Sequence, residues 1–247
     1  MNKKMVLMTI AIGLIVFIIL FDIFFSLSRL YVAKELTSST NYSGNHTFYS
    51  ESNRKMNILV DGDSIAAGVG SSRFNYSIAG RIGKHFSENR TVNVYVNAKS
   101  GSRVKDLINK TVPEGHYDLA VITISSNDLF RFSYLRTFRD PVNRMYKKYS
   151  NLADWVVVVG PGKVHATNGI PKLMKPIYHV LGPLYGRVLR EEAQDYPNVI
   201  HINPHDSLHL PEYGKIEAKD MFHPNNEGHK YWFDMFMIGY NQTQLKR

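Results

Sequence analysis

Asn57-Ile58-Leu59-Val60-Asp61-Gly62-Asp63-Ser64 is a short apolar run that stops abruptly on an acidic, glycine-containing turn carrying a serine. A run of this kind, bounded by turn residues, predicts a strand from Asn57 to Val60 with Ser64 in the bend that follows. Four runs of the same character follow, Val92 to Val96, Leu119 to Ile124, Trp155 to Val159 and Val199 to Ile202. Between and after them, apolar residues at helical spacing predict helices from Ser77 to Phe86, Arg103 to Lys110, Pro141 to Leu152, Tyr178 to Ala193 and Glu227 to Met237. Pro171, Pro176 and Pro183 break the fourth helix at its start. One strand per helix predicts an α/β fold, a three-layer α/β/α sandwich on a five-stranded parallel sheet.

Upstream of this pattern, Met5 to Leu27 is almost wholly apolar and follows Lys3 and Lys4. At about 1.5 Å per residue it is long enough to cross a hydrocarbon layer. The residues at its end, Ser26-Leu27-Ser28-Arg29-Leu30-Tyr31, offer no small-x-small cleavage site, so the run reads as an uncleaved transmembrane helix. Two lysines and the amino terminus outweigh Arg29 and Lys34, which predicts a single-pass protein with its tail inside and its domain outside the cytoplasm. Asp22 sits near the outer end of the run, within reach of the interface. Glu35 to Arg54 is polar and rich in Ser, Thr and Asn, without apolar periodicity. The chain thus divides into an N-terminal membrane anchor, 1–30, a polar linker, 31–55, and a folded domain, 56–247.

Several chemistries are excluded by composition. The 247 residues include no cysteine, which removes disulfide frameworks, thiolate metal sites and cysteine nucleophiles. A formal charge of +9 suits either a solvated basic surface or contact with phospholipid headgroups, phosphate-bearing polymers or nucleic acid. Zinc-finger spacing, an RNP-like aromatic pair and a lysine-rich tail are all missing, so no nucleic acid partner is expected. Gly68-Val69-Gly70 is followed by Ser71, Ser72 and Arg73, which matches neither a dinucleotide fingerprint nor a nucleotide loop.

In open α/β sheets the working residues collect at the carboxyl ends of strands. Ser64 follows the first predicted strand, Gly101 the second, and Asn127-Asp128 the third. Each is by itself an ordinary turn or cap residue. Together they place a backbone N–H and a side-chain amide beside Ser64, where both could donate to one developing oxyanion. Near the carboxyl terminus, Asp220 precedes His223 by three residues. That spacing lets the carboxylate accept the imidazole Nδ1 proton and leaves Nε2 as a base. Asp220, His223 and His229 could form a metal set by composition, but no further ligand stands at telling spacing and no metal is expected.

The ordered set Gly62-Asp63-Ser64, Gly101, Asn127-Asp128 and Asp220-x-x-His223 resembles the four blocks of the SGNH, or GDSL-like, hydrolase superfamily, from Met56 to Met237. The resemblance implies a flavodoxin-like SGNH fold and a carboxylic ester hydrolase without metal or organic cofactor. It implies Ser64 as nucleophile, Asp220 and His223 as the rest of a triad, and an oxyanion hole formed by the N–H groups of Ser64 and Gly101 with the Asn127 amide. Two positions depart from the family pattern, Ile65 where leucine is usual and Ser125 where glycine is usual. The implied substrate is an ester, of a lipid or of an acylated envelope glycan, and the implied partner is the membrane holding the anchor. The same triad would serve an acyltransferase, and the same crevice a non-catalytic lipid- or glycan-binding member. The stretch from Leu129 to Tyr149 interleaves basic and aromatic residues next to Asn127. It is either a wall of the substrate site or a helix with its aromatics in the core. Oligomeric state is not written in these residues.

Overall fold

The computed structural model describes residues 3–40, 42–207 and 211–245. Positions 1–2 of the expected anchor, 41 of the expected linker, and 208–210 and 246–247 of the expected domain lie outside the described residues. In chain order the elements are α1 Lys3–Ser39, β1 Gly44–Phe48, β2 Lys55–Gly62, α2 Ile78–Phe86, β3 Thr91–Val96, α3 Val104–Asn109, β4 Tyr117–Thr123, α4 Ser126–Phe130, α5 Leu135–Ser150, β5 Ala153–Val159, α6 Lys175–Ala193, β6 Val199–Ile202, α7 Tyr213–Ile216 and α8 Asn226–Leu245.

The sheet has six strands in the order β1-β3-β2-β4-β5-β6. The five expected strands are all present and parallel, and their order reverses between β2 and β4. That reversal is the switch point at which doubly wound folds place their ligands. The five-strand expectation is corrected by one: β1 adds to the edge, antiparallel to β3. It lies within the polar stretch 31–55, and its sequence GNHTF has no alternating apolar face by which it could be read. Long-range contacts hold it instead. Thr47 Oγ1 donates to Asn93 Oδ1 at 3.0 Å, and the His46 ring stacks on Phe74 at 3.7 Å.

Both faces of the inner strands are buried, which is why they read as continuous apolar runs. Leu59, Ala120, Ile122, Val156 and Val158 face one layer with Phe138, Tyr146, Tyr149 and Leu189. Ile58, Val60, Val121, Val157 and Val159 face the other with Ile78, Ile82, Trp232 and Phe236. Pro141 was expected to open α5 but lies inside it. A missing hydrogen bond there costs about 3 kcal/mol. Burial of Phe138, Val142, Met145, Tyr146 and Tyr149 along one side of the helix, at roughly 1.5–3 kcal/mol each, outweighs it.

Helix α1 has 37 residues, about 55 Å of helix, and is long and apolar enough to cross a membrane. It runs beyond the apolar segment to Ser39, and its C-terminal turns touch the domain. Lys219 Nζ pairs with Glu35 Oε1 at 3.0 Å, and Arg29 Nη1 donates to the Lys219 carbonyl at 3.4 Å.

A buried acid sits at the end of β2. Asp61, with no exposed surface, accepts from Lys110 Nζ at 2.6 Å, Tyr149 Oη at 2.7 Å, Asn97 Nδ2 at 3.0 Å and the Gly62 N–H at 2.7 Å. Each donor reaches it from a different part of the fold, so the cluster clamps β2 against α5 and the loops around β3. Tyr149→Phe removes one donor from a buried carboxylate and is expected to lower stability by about 1–3 kcal/mol, read as a reduced unfolding midpoint in detergent.

Candidate active site

Gly62 ends β2 at φ +131, and a Cβ there would stand 2.0 Å from the Thr123 carbonyl oxygen. Only glycine lets β2 turn this close to β4, so that the Asp63 N–H donates to Thr123 O at 3.0 Å. Asp63 Oδ1 accepts from the Ile65 N–H at 3.0 Å and from Thr123 Oγ1 at 3.2 Å, which fixes the bend holding Ser64. Burial pushes the Asp63 carboxyl up to about 6, against these hydrogen bonds and the nearby His223.

The second half of the site arrives from the other end of the chain. Asp220 Oδ1 accepts the N–H groups of Phe222 and His223 at 3.1 and 3.0 Å. His223 Nδ1 donates to Asp220 Oδ2 at 2.5 Å, leaving Nε2 as the available ring nitrogen. Burial pushes the Asp220 carboxyl up, but its bonds to His223 and Phe222 outweigh this and hold it below the usual value. The loop is closed by an antiparallel bridge between Glu217 and Pro224. It docks on the Ser64 turn through Gly70, where a Cβ would stand 2.2 Å from the Pro224 carbonyl oxygen. His229 Nε2 donates to the Val69 carbonyl at 3.0 Å, so this histidine holds the turn that follows Ser64. Among the described residues no group of three or more His, Cys, Asp or Glu side chains is placed to hold a metal ion.

Gly101 has φ +80 in the turn after β3. Asn127 lies in the first turn of α4 and donates one amide hydrogen to Ser102 O at 3.1 Å, which leaves the other free for a ligand. Asp128 ties α4 to the start of α3, accepting from the Val104 N–H at 3.0 Å and Ser133 Oγ at 3.1 Å. Burial pushes it up to about 6. Ser125, where the family pattern has glycine, adopts φ +82, is fully buried, and its hydroxyl has no hydrogen-bond partner. The backbone at this position therefore retains a conformation suited to glycine.

Ser64, Asn127, Phe222 and His223 line two chambers. One, of about 70 Å³, is bounded by Ile65, Lys163, Tyr213 and Trp232. The other, of about 330 Å³, adds Gly101, Arg131 and Tyr178, with Ile23, Leu27 and Leu30 of α1. Of the five residues singled out in the sequence, Ser64, Gly101, Asn127 and His223 therefore meet at the larger chamber, and Asp220 lies fully buried behind His223. The basic-aromatic stretch divides: Phe130 and Arg131 face the cleft, whereas Phe138, Tyr146 and Tyr149 belong to the core. Sequence reasoning did not find Asp63 as a structural acid or α1 as a cleft wall. Asp63 looked like a turn residue, and the helical spacing of Ile23, Leu27 and Leu30 was hidden in an apolar run with no polar face to contrast with it.

The family model described as the GDSL-like lipase/acylhydrolase family matches residues 61–231. A search of curated proteins finds no match. Similar solved structures include LAE5, an alpha/beta hydrolase enzyme from the metagenome of Lake Arreo, Spain, at 18% identity and TM-score 0.57, covering 78% of this chain and 96% of that one. A catalytic mutant of Axe2, an acetylxylan esterase from Geobacillus stearothermophilus, is also 18% identical, with TM-score 0.57 and coverage of 78% and 95%. TesA is 18% identical, with TM-score 0.58 and coverage of 74% and 97%.

Two outcomes are expected. Ser125→Gly relieves a strained φ and removes an unpartnered buried hydroxyl, and should raise stability by about 1 kcal/mol with catalytic turnover retained. The second concerns acid. Burial pushes His165, His201, His205 and His229 down to about 4, so between pH 6.5 and 4 they take protons in the unfolded chain and not in the folded one. Asp63 and Asp128, raised to about 6, take protons first in the folded chain and offset part of this. The unfolding midpoint should fall from neutral pH toward about pH 5, and fall less in His229→Gln.

Proposed function

This chain belongs to the GDSL-like lipase/acylhydrolase family, and from that premise we propose a membrane-tethered, serine-dependent ester hydrolase working through an acyl-enzyme on Ser64. The observation that carries the reading is the 2.5 Å bond between His223 Nδ1 and Asp220, with Ser64, Asn127 and His223 lining the same cleft.

In this mechanism His223 Nε2 takes the proton from Ser64 Oγ as the oxygen attacks the ester carbonyl. Asp220, held ionised, steadies the imidazolium. The tetrahedral oxyanion is met by the Ser64 and Gly101 N–H groups and by the free amide hydrogen of Asn127. The ester C–O bond then breaks, and the alcohol leaves with the proton from His223. Water, deprotonated by the same imidazole, attacks the acyl-enzyme, releases the acid and restores Ser64. No step calls for a metal or cofactor. The substrate is an acyl or O-acetyl ester of a lipid or envelope glycan, and O-acetyl chemistry is what the description of Axe2 names.

Helix α1 acts as an uncleaved anchor with the domain outside the cytoplasm. Lys3 and Lys4 precede the apolar segment, and the contacts of Arg29 and Glu35 with Lys219 make the outer turns of α1 part of the domain surface.

The full chain in detergent should hydrolyse p-nitrophenyl acetate and label at Ser64 with a fluorophosphonate. Ser64→Ala should lose both, and Asn127→Ala should lower kcat by about 10²–10³-fold, some 2.7–4 kcal/mol. Turnover that survives in a folded Ser64→Ala protein would overturn the assignment.

A further inference from the structure

The larger chamber opens where α1 leaves its apolar segment. Ile23, Leu27 and Leu30 recur at helical spacing and form part of its wall. Ile23 and Leu27 belong to the apolar run itself, so the chamber that holds Ser64 begins at the depth where the run ends. Facing α1 across the chamber are Met174 and Tyr178. Their neighbours Leu173, Ile177, Val180 and Leu184 turn outward and are 60%, 44%, 64% and 38% exposed. Phe132, 47% exposed, stacks on Tyr178 at 5.5 Å and extends this apolar surface. The segments that carry these residues also bear exposed Arg131, Arg136, Lys172 and Arg187.

Exposed apolar residues interspersed with basic ones are what a protein lays into the headgroup and acyl boundary of an anionic bilayer. The occupant is fixed by α1: an anchor that crosses the membrane and walls the same chamber cannot place that chamber far from the surface. Arg29 and Arg131 both line the chamber. Arg29 packs over Phe25 at 4.7 Å, and its Nε is buried without a partner. Arg131 Nη2 lies 3.6 Å from where a side chain on Gly101 would begin. Two guanidinium groups in a mostly apolar chamber beside the nucleophile suit an ester whose other end is an anionic headgroup.

We propose that the protein works face-down on the membrane its own α1 spans, with the apolar face of α6 in the outer leaflet, and that its substrate is an anionic, bilayer-resident ester reaching Ser64 along α1. The substrate part rests on the hydrolase reading, and the docking part does not.

The test uses the full chain in phosphatidylglycerol vesicles. Because the chain has no cysteine, Ile177→Cys gives one site for an environment-sensitive fluorophore, with Glu88→Cys, beyond α2 on the opposite face of the sheet, as reference. The label at 177 should be quenched by spin-labelled lipid and the one at 88 should not. The rate on p-nitrophenyl palmitate in the vesicles, relative to p-nitrophenyl acetate in solution, should fall about tenfold in Val180→Asp, and by a similar factor when phosphatidylcholine replaces phosphatidylglycerol. Arg29→Gln, which leaves Arg131 and the exposed basic residues in place, should weaken the dependence on lipid charge. An unquenched label, or an unchanged rate ratio, overturns the proposal. A label at 177 shielded from both lipid and water only at high protein density marks a second copy on this face, and also overturns it. Quenching with neither ester hydrolysed overturns the substrate part through the hydrolase reading and upholds the docking part, which separates that failure from a failure to dock.

Discussion

Ser64 and His223 are brought together by a backbone contact that leaves no room for a side chain, Gly70 against the Pro224 carbonyl. Everything catalytic in the proposed mechanism depends on this junction between segments 154 positions apart, because 224 − 70 = 154. Polar contacts keep it closed. His229 holds Val69, Asn226 Oδ1 accepts the Ser72 N–H at 2.9 Å, and Arg81 Nη2 donates to Asn226 O at 3.0 Å. These bonds act on backbone and on neutral groups for the most part, so the junction does not depend on exposed charge pairs that salt would screen.

The same junction sorts the carboxylates. Asp63, Asp128 and Asp220 are all buried near the carboxyl end of the sheet, yet only Asp220 has an imidazole to pair with. Burial raises Asp63 and Asp128, while His223 draws Asp220 down. Separation of this kind is how one fold keeps a single acid ionised beside its base while others serve as hydrogen-bond acceptors for backbone turns. Asp63 and Asp128 are thereby structural devices, each fastening the loop that carries a neighbouring working residue.

The five inner strands are legible from the chain because each is buried on both faces and therefore spelled in β-branched and other apolar residues. Edge strand β1 is not, since it borrows its stability from Asn93 and Phe74 and not from its own pattern. The grouping of Ser64, Gly101, Asn127 and His223 at one cleft, with Asp220 behind His223, is legible because each sits at a strand end or on one turn. The helix boundaries at Pro141 and Ser39 are not, because tertiary burial overrides a proline in the first case and continuity with a long helix overrides weak propensity in the second. Ser125 departs from the family residue, yet its φ of +82 is one that glycine adopts without strain.

The wall that α1 contributes to the larger chamber has a consequence for where specificity is encoded. Ile23, Leu27, Leu30 and Arg29 would be classed as targeting sequence and trimmed from a soluble version of the protein. Such trimming would convert a bounded chamber into an open trough and remove one of its two guanidinium groups. Selectivity measured on the trimmed protein would then describe the trough. Exchanging α1 for another helix of equal length and hydropathy would likewise keep its capacity to cross a membrane while rewriting the lock.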